Sequence, residues 1–204
     1  MAEEEANTPP SVEDDDDNES TGTAAGYKPP AKKTLEEIQK LDDDDESLVK
    51  YKQALLAGME AGTGDPSDPR RVIVEKMSLV TEGREDVHVD LTGDLTKLKS
   101  KPFVIKEGAE YKIRVTFKVQ HEIVSGLRYH QTTYRKGIRV DKTTYMVGSY
   151  GPKAESHQYI TPIDEAPKGM VSRGHYTVKS KFIDDDKHEH LSWEWSFDIK
   201  KDWE

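Results

Sequence analysis

The stretch Glu110-Tyr111-Lys112-Ile113-Arg114-Val115-Thr116-Phe117-Lys118-Val119 decides the fold. Tyr111, Ile113, Val115, Phe117 and Val119 fall on one side of an extended chain; Lys112, Arg114, Thr116 and Lys118 fall on the other. A period of two with one apolar and one charged face is the pattern of a half-buried strand in an antiparallel sheet. Two later segments repeat it. Tyr176, Val178, Ser180 and Phe182 alternate with His175, Thr177, Lys179 and Lys181, and Trp193, Trp195, Phe197 and Ile199 alternate with Glu194, Ser196, Asp198 and Lys200. Weaker strand patterns cover Val72–Val80, Val87–Leu91, Phe103–Ile105, Leu127–Tyr134, Ile138–Val147 and Gln158–Ile163, with Gly, Pro and Asp clusters between them. Seven to nine such strands in roughly 135 residues predict an all-β body, an immunoglobulin-like antiparallel β-sandwich of two sheets.

What precedes this body is chemically different. Residues 1–60 hold 17 Asp/Glu against 6 Lys/Arg and residues 61–204 hold 23 against 24, so balances of −11 and +1 make up the net −10. A near-neutral sandwich therefore carries a flexible acidic N-terminal arm. Residues 1–26 contain nine acids and no Lys or Arg, and nothing there offsets the ~1–2 kcal/mol per residue of backbone entropy that ordering costs. They read as a disordered tail, either solubilising or electrostatic in role. Tyr27-Lys28-Pro29-Pro30 holds the chain extended. Thr34-Leu35-Glu36-Glu37 fits a capping box, with Leu35, Ile38 and Leu41 on one helix face. Asp42–Glu46 offers N-cap carboxylates to a second helix, in which Leu48, Tyr51, Leu55 and Leu56 share a face until Gly58. The predicted organisation is thus a tail over 1–26, a helical arm over 27–58, a linker over 59–71 and a sandwich over 72–204. Two short helices are marginal in water without a partner, so an acidic arm with apolar teeth is built to grip something basic or membrane-associated.

Composition excludes much else. The absence of cysteine removes disulfides and Cys-ligated zinc. The N-terminal residues lack the pattern of a signal peptide and no apolar run reaches the ~20 residues of a membrane span, so a cytoplasmic location without stable membrane insertion is expected. The net negative charge disfavours nucleic acid. His188-Glu189-His190 after Asp184-Asp185-Asp186 could in principle chelate a metal, but a polar turn between two strand patterns is expected there anyway, so the expectation is no metal and no cofactor. No Gly-x-Ser-x-Gly elbow and no nucleophile–base grouping is present. Gly148-Ser149-Tyr150-Gly151-Pro152-Lys153 lacks P-loop spacing and reads as a turn between strands. An enzyme is not expected. The row Trp193, Trp195, Phe197 either fills a solid core or lines an apolar slot between the sheets.

Longer blocks carry a family resemblance. Tyr27-Lys28-Pro29-Pro30, Asp44-Asp45-Glu46-Ser47-Leu48, Lys50-Tyr51-Lys52, Asp90-Leu91-Thr92-Gly93-Asp94-Leu95, Phe103-Val104-Ile105-Lys106-Glu107-Gly108 and Glu122-Ile123-Val124-Ser125-Gly126 resemble the Rho GDP-dissociation inhibitors. So do Tyr134-Arg135-Lys136-Gly137, Tyr145-Met146-Val147-Gly148-Ser149-Tyr150-Gly151-Pro152, Glu165-Ala166-Pro167-Lys168-Gly169-Met170, Asp184-Asp185-Asp186-Lys187 and the ending from Leu191 to Trp203. The likeness runs from about Tyr27 to Trp203. It implies a protein that binds geranylgeranylated, GDP-bound Rho-family small GTPases, blocks GDP release and extracts them from membranes. The prenyl group would be sheltered between the sheets, in a monomer forming a 1:1 heterodimer with the GTPase. By position, the resemblance implies a prenyl pocket of Leu79, Phe103, Tyr111, Ile123, Tyr145, Val178 and Trp195. It implies GTPase contacts at Tyr27, Asp45, Ser47, Leu48, Tyr51 and Asp186, polybasic-tail contacts at Asp164 and Glu165, and no catalytic residues. Two other readings are compatible with the residues alone: a general carrier of prenylated or acylated proteins, and a non-lipid adaptor that binds a basic partner through its arm.

Overall fold

A computed structural model describes residues 45–50 and 64–203. The expectations for the tail, the Thr34 capping box, Tyr27, Tyr51, Leu55, Leu56 and Gly58 lie outside the described residues. The body is two five-stranded sheets. In the first, β1 (Val72–Thr81) lies between β2 (Val87–Asp90) and the central β4 (Glu110–Val119). The far edge of β4 is paired by β7 (His157–Ile160) and, near Tyr111, by the two-residue β8 (Asp164–Glu165). The second sheet runs β3 (Phe103–Lys106), β10 (Glu189–Lys200), β9 (Gly174–Ile183), β5 (Val124–Arg135), β6 (Ile138–Tyr150). The all-β sandwich expected from the alternation is the fold observed.

The inward rows named from sequence are the core. Ile113, Val115, Phe117 and Val119 of β4 and Val178, Phe182, Trp195 and Ile199 of the opposite sheet are each buried. The two layers meet where the Phe117 and Phe182 rings stand 5.2 Å apart. β1 breaks its own alternation. Val72 and Val74 are buried, a bulge intervenes between Val74 and Lys76, and Met77 and Leu79 take over the inward face. One extra residue shifts the parity of a strand by one, which is why this strand reads weakly in sequence.

Three expectations are corrected. The sheets are not wholly antiparallel, because β3 pairs β10 in parallel. No hairpin joins β3 to its neighbour. It arrives from β2 in the other sheet through a 3-10 helix, Leu95–Ser100, and leaves for β4, so its direction is set by the crossover. That helix is capped by the Asp94 carboxylate, which accepts from the Thr96 amide at 3.1 Å, and it covers the outer face of β10, where Ser196 Oγ donates to Lys99 O at 2.9 Å. Gly148–Tyr150 is not a turn but the end of β6. And the Asp184–His190 corner is not simply a solvated turn. The Asp184 and His190 side chains are 2 % and 1 % exposed, with His190 Nε2 3.0 Å from Asp184 Oδ2. A polar residue in this pattern is buried because it is paired.

Residues 64–71, within the stretch read as linker, run along the same end of the sandwich. The Gln120 amide donates to Asp68 O at 3.2 Å and to Arg70 O at 2.7 Å, its oxygen accepts from Asp65 N at 3.3 Å, and His121 Nε2 lies 2.6 Å from Asp68 O. Arg71 then reaches Asp184 Oδ2 at 3.1 Å and Glu122 at 3.3 Å. This strap is held by polar bonds, not by apolar periodicity.

Candidate functional site

Five aromatic side chains of the second sheet, Phe103, Tyr129, Tyr145, Trp193 and Trp195, form one layer. Tyr129 of β5 stacks between Trp193 of β10, at 5.8 Å, and Tyr145 of β6, at 6.0 Å. Trp195 meets Phe103 edge-on at 5.6 Å and is the cross-strand partner of Val178. One hydroxyl ties the layer together: Ser180 Oγ accepts from Trp195 Nε1 at 2.9 Å and lies 3.0 Å from the Tyr129 hydroxyl. Burial pushes the phenols of Tyr129, Tyr111 and Tyr145 up, well out of the physiological range. All three therefore present neutral rings. Their walls are apolar and their hydroxyls are handles, a combination suited to a hydrocarbon ligand entering from water.

The expected pocket residues fall into two groups. Leu79, Phe103, Val178 and Trp195 are closed in the core, between 0 % and 4 % exposed. Tyr111, Ile123 and Tyr145 are half-buried at its margins. Tyr111 and Tyr145 come together from opposite sheets, close enough for each to feel the charge of Asp164. Ile123 does not join them. It precedes β5 at the Val119 end of β4, beside the corner where the Asp185 amide donates to Ser125 O at 3.2 Å. Trp193, named from sequence as core or slot lining, belongs to the layer, as do Tyr129 and Ser180, which a sequence reading of pocket residues does not mark. Tyr129 sits on the inward face of β5 with the buried polar residues Gln131 and Thr133, which mask the apolar alternation that would have marked it.

The acids sit where the strands end. Asp164 accepts from the Tyr111 hydroxyl at 3.0 Å, and Glu165 pairs Lys168 at 2.6 Å; both acids are exposed beside the Tyr111 margin of the layer. Desolvation is the largest cause of the raised Tyr111 phenol, and the Asp164 charge adds to it. Asp186 is exposed in a tight turn closed by the Lys187 amide donating to Asp184 O at 3.0 Å, at the opposite end. The exposed acids thus form separate groups.

In the arm, residues 46–50 are helical and Asp45 is the N-cap. Its Oδ1 accepts from Ser47 N at 2.8 Å and from Leu48 N at 3.2 Å, as the sequence reading of Asp42–Glu46 anticipates. Leu48 is 41 % exposed, so an apolar side chain stands in solvent on a capped helix.

Comparison with known proteins agrees with this arrangement. The family model described as RHO protein GDP dissociation inhibitor matches residues 12–202. Rho GDP-dissociation inhibitor 1 of Homo sapiens is 55 % identical over 173 residues, covering 85 % of this chain and 84 % of that protein. The Mus musculus protein of the same name is 56 % identical over 174 residues, with the same coverage. Rho GDP-dissociation inhibitor 3 of Bos taurus is 54 % identical over 174 residues, covering 85 % of this chain and 76 % of its own length. With a match that spans the capped helix, the strap and every strand of the sandwich, the chain belongs to the Rho GDP-dissociation inhibitor family.

Proposed function

We propose that this protein is a Rho GDP-dissociation inhibitor in function as in family: a regulator, not an enzyme, that binds Rho-type small GTPases and slows their release of GDP. The observation that carries the reading is the continuity of the match from residue 12 to residue 202, which includes both arm and sandwich. The finer proposal is that the GTPase is geranylgeranylated and GDP-bound, that the complex is 1:1, and that the complex is cytoplasmic. Among the described residues no helix is long and apolar enough to cross a membrane.

The division into a tail over 1–26, a gripping arm over 27–58, a linker over 59–71 whose residues 64–71 are bonded to the body, and a prenyl-binding sandwich over 72–204 belongs to the same proposal. The isoprenoid enters the aromatic layer at the Tyr111–Tyr145 margin and occupies space between Leu79, Phe103, Val178 and Trp195, with Ile123 as a further pocket residue. Because those four side chains are packed in the core, the sheets part by side-chain movement to admit the chain. Asp164 and Glu165, exposed beside that margin, face the basic segment that precedes the lipidated cysteine. Tyr27, Asp45, Ser47, Leu48, Tyr51 and Asp186 contact the GTPase. A geranylgeranyl chain has about twenty carbons, so its burial yields on the order of 10 kcal/mol at ~0.8 kcal/mol per methylene-sized group, which a bilayer offers as well. The protein–protein grip must therefore tip extraction.

GDP release from prenylated Rho-type GTPases, measured with and without the protein, tests the reading. Slowed release is expected. Unchanged release alongside binding of a geranylgeranylated peptide would instead make the protein a general carrier of lipidated proteins.

A further inference from the structure

The three most exposed large apolar side chains among the described residues are Ile138, Met170 and Val171, at 70 %, 81 % and 84 %. They lie on two chain segments held side by side. Ile138 follows the hairpin turn Lys136-Gly137 between β5 and β6, and Met170 and Val171 lie in the 168–173 turn before β9. The guanidinium of Arg135 donates to Val171 O and, at 2.8 Å, to Arg173 O, fastening the hairpin to the turn. The turn is braced from within. Glu107 accepts from Gly169 N at 3.0 Å and from Arg173 at 2.9 and 2.7 Å, and the Tyr176 hydroxyl donates to Ser172 O at 2.7 Å. A turn built this firmly does not expose Met170 and Val171 through slackness. It holds them out.

Within these segments every charge is positive; Arg173 is paired with Glu107 and Lys168 with Glu165 from outside them, and Arg135, Lys136 and Arg139 are the cations beside Ile138. Residues 134–139 contain Arg135, Lys136 and Arg139, residues 168–173 contain Lys168 and Arg173, and neither segment contains an Asp or Glu. Apolar side chains projecting from a cationic collar match the boundary of an anionic bilayer, where the former enter the headgroup layer and the latter face lipid phosphates. We propose that this tip docks the protein peripherally on an anionic phospholipid surface, through Ile138, Met170 and Val171 with Lys136 beside them.

The acids at the strap end, Asp184, Asp185 and Asp186, do not forbid this. β9 runs from Gly174 at the tip to Ile183 next to Asp184 and Arg71, where the strap of residues 64–71 enters. Ten residues of strand separate the ends by about 30 Å, several times the ~8–10 Å over which salt screens charge at physiological strength. The purpose of docking rests on the function proposed above: the 168–173 turn follows β8, whose Asp164 bonds Tyr111, so contact at this tip brings the slot margin to the membrane. The docking itself stands without it.

The test uses the full-length protein and vesicles free of any GTPase, so its outcome is independent of GDP-release inhibition. Sedimentation with phosphatidylcholine–phosphatidylserine vesicles is expected, with little binding to phosphatidylcholine alone and a decline at raised salt. Met170→Ser with Val171→Ser should lower partitioning by roughly tenfold or more, since two exposed apolar side chains are removed from the contact. Ile138→Ser, on the other segment, should weaken it as well, so a local defect in the 168–173 turn cannot imitate the result. Lys136→Glu should weaken binding to the anionic vesicles alone. Absence of binding by the parent protein, or equal binding by parent and variants, overturns the proposal. So does a tip variant that sediments normally but loses inhibition of GDP release from an unprenylated GTPase, which would make the tip a protein interface.

Discussion

Asp184 holds three groups at once. Arg71 donates to its Oδ2 at 3.1 Å, His190 approaches the same oxygen at 3.0 Å, and the His188 amide donates to Oδ1 at 2.9 Å. Burial alone would raise this carboxyl, but the bonds from His190 and the His188 amide and the charges of His190 and Arg71 outweigh it, so it lies below its ordinary value. A carboxyl that binds its proton less tightly when folded stabilises the fold fully above its unfolded pKa of about 3.9, and the contribution is lost as pH falls through the lower folded value. Melting temperatures of parent and Asp184→Asn should therefore differ most near neutral pH and converge as pH falls below about 4. At neutral pH the variant should lose roughly 3 kcal/mol, on the order of 10 °C, because Arg71 and His190 stay behind with a weaker partner. A neighbouring glycine is constrained more sharply. Gly126 has φ +59°, and a Cβ there would stand 1.8 Å from Asp185 Oδ2, on the carboxylate that pairs Arg128 at 2.6 Å. Gly126→Ala should cost about 2–3 kcal/mol through left-handed strain and displacement of Asp185. A denaturant titration checks it, and GDP-release assays at saturating protein show whether the displaced turn also disturbs Asp186.

At the scale of the element, the capped arm helix changes how a substitution there should be read. Asp45→Ala removes a charge and also the cap of residues 46–50, worth about 1 kcal/mol of helix stability. Asp45→Ser keeps an acceptor oxygen for the Ser47 and Leu48 amides and removes the charge alone. If Asp45 contacts the GTPase through its carboxylate, both variants should inhibit GDP release severalfold less well at limiting concentration. If its role is capping, only Asp45→Ala should. Elements also show what a sequence discloses. β4 was legible because Ile113, Val115, Phe117 and Val119 meet the core while Lys112, Arg114 and Lys118 on the other face stay partly exposed, with Thr116 the one residue of that face that is buried. β9 and β10 were legible for the same reason, although Ser196 is fully buried on the nominally wet side under the Leu95–Ser100 helix. That helix went unread despite the Leu95–Leu98 spacing and the Asp94–Thr96 cap, because six residues offer too short a period to outvote a loop. The parallel pairing of β3 was invisible, since strand direction at a sheet edge depends on which sheet the chain has just left. The Asp184–His190 pair was hidden for a chemical reason: acids and histidines read as solvent-facing until a partner remote in sequence, here Arg71, is placed against them.

For the molecule as a whole, the question is where arm ends and body begins, because that decides whether the two can be separated. Val72 opens β1, but the bonds from Gln120 and His121 to Asp65, Asp68 and Arg70, and from Arg71 to Asp184, make residues 64–71 part of the folded body. A chain of residues 64–204 should melt close to the parent, whereas one of residues 72–204 removes Arg71, leaves Asp184 and Glu122 without that cation, and should melt several degrees lower, for a loss of about 1–3 kcal/mol. The chain of residues 64–204 is therefore the instrument for dividing the labour of extraction. If the sandwich shelters the isoprenoid as proposed, it offers the lipid about what the bilayer offers, so residues 64–204 should bind a geranylgeranylated peptide yet draw little intact GTPase from liposomes. On the proposed arrangement the full chain should extract it, because a helix tethered to the body would grip the GTPase at high effective concentration, and exposed acids such as Asp164 and Glu165 would compete with anionic lipid for its basic tail. That last contribution acts between exposed charges and is screened over about 10 Å at 0.1 M salt. Extraction by the full chain should then fall as ionic strength rises while peptide binding by residues 64–204 holds steady. Equal extraction by the two chains at every salt concentration would place the whole driving force in the sandwich and leave the arm with nucleotide release alone.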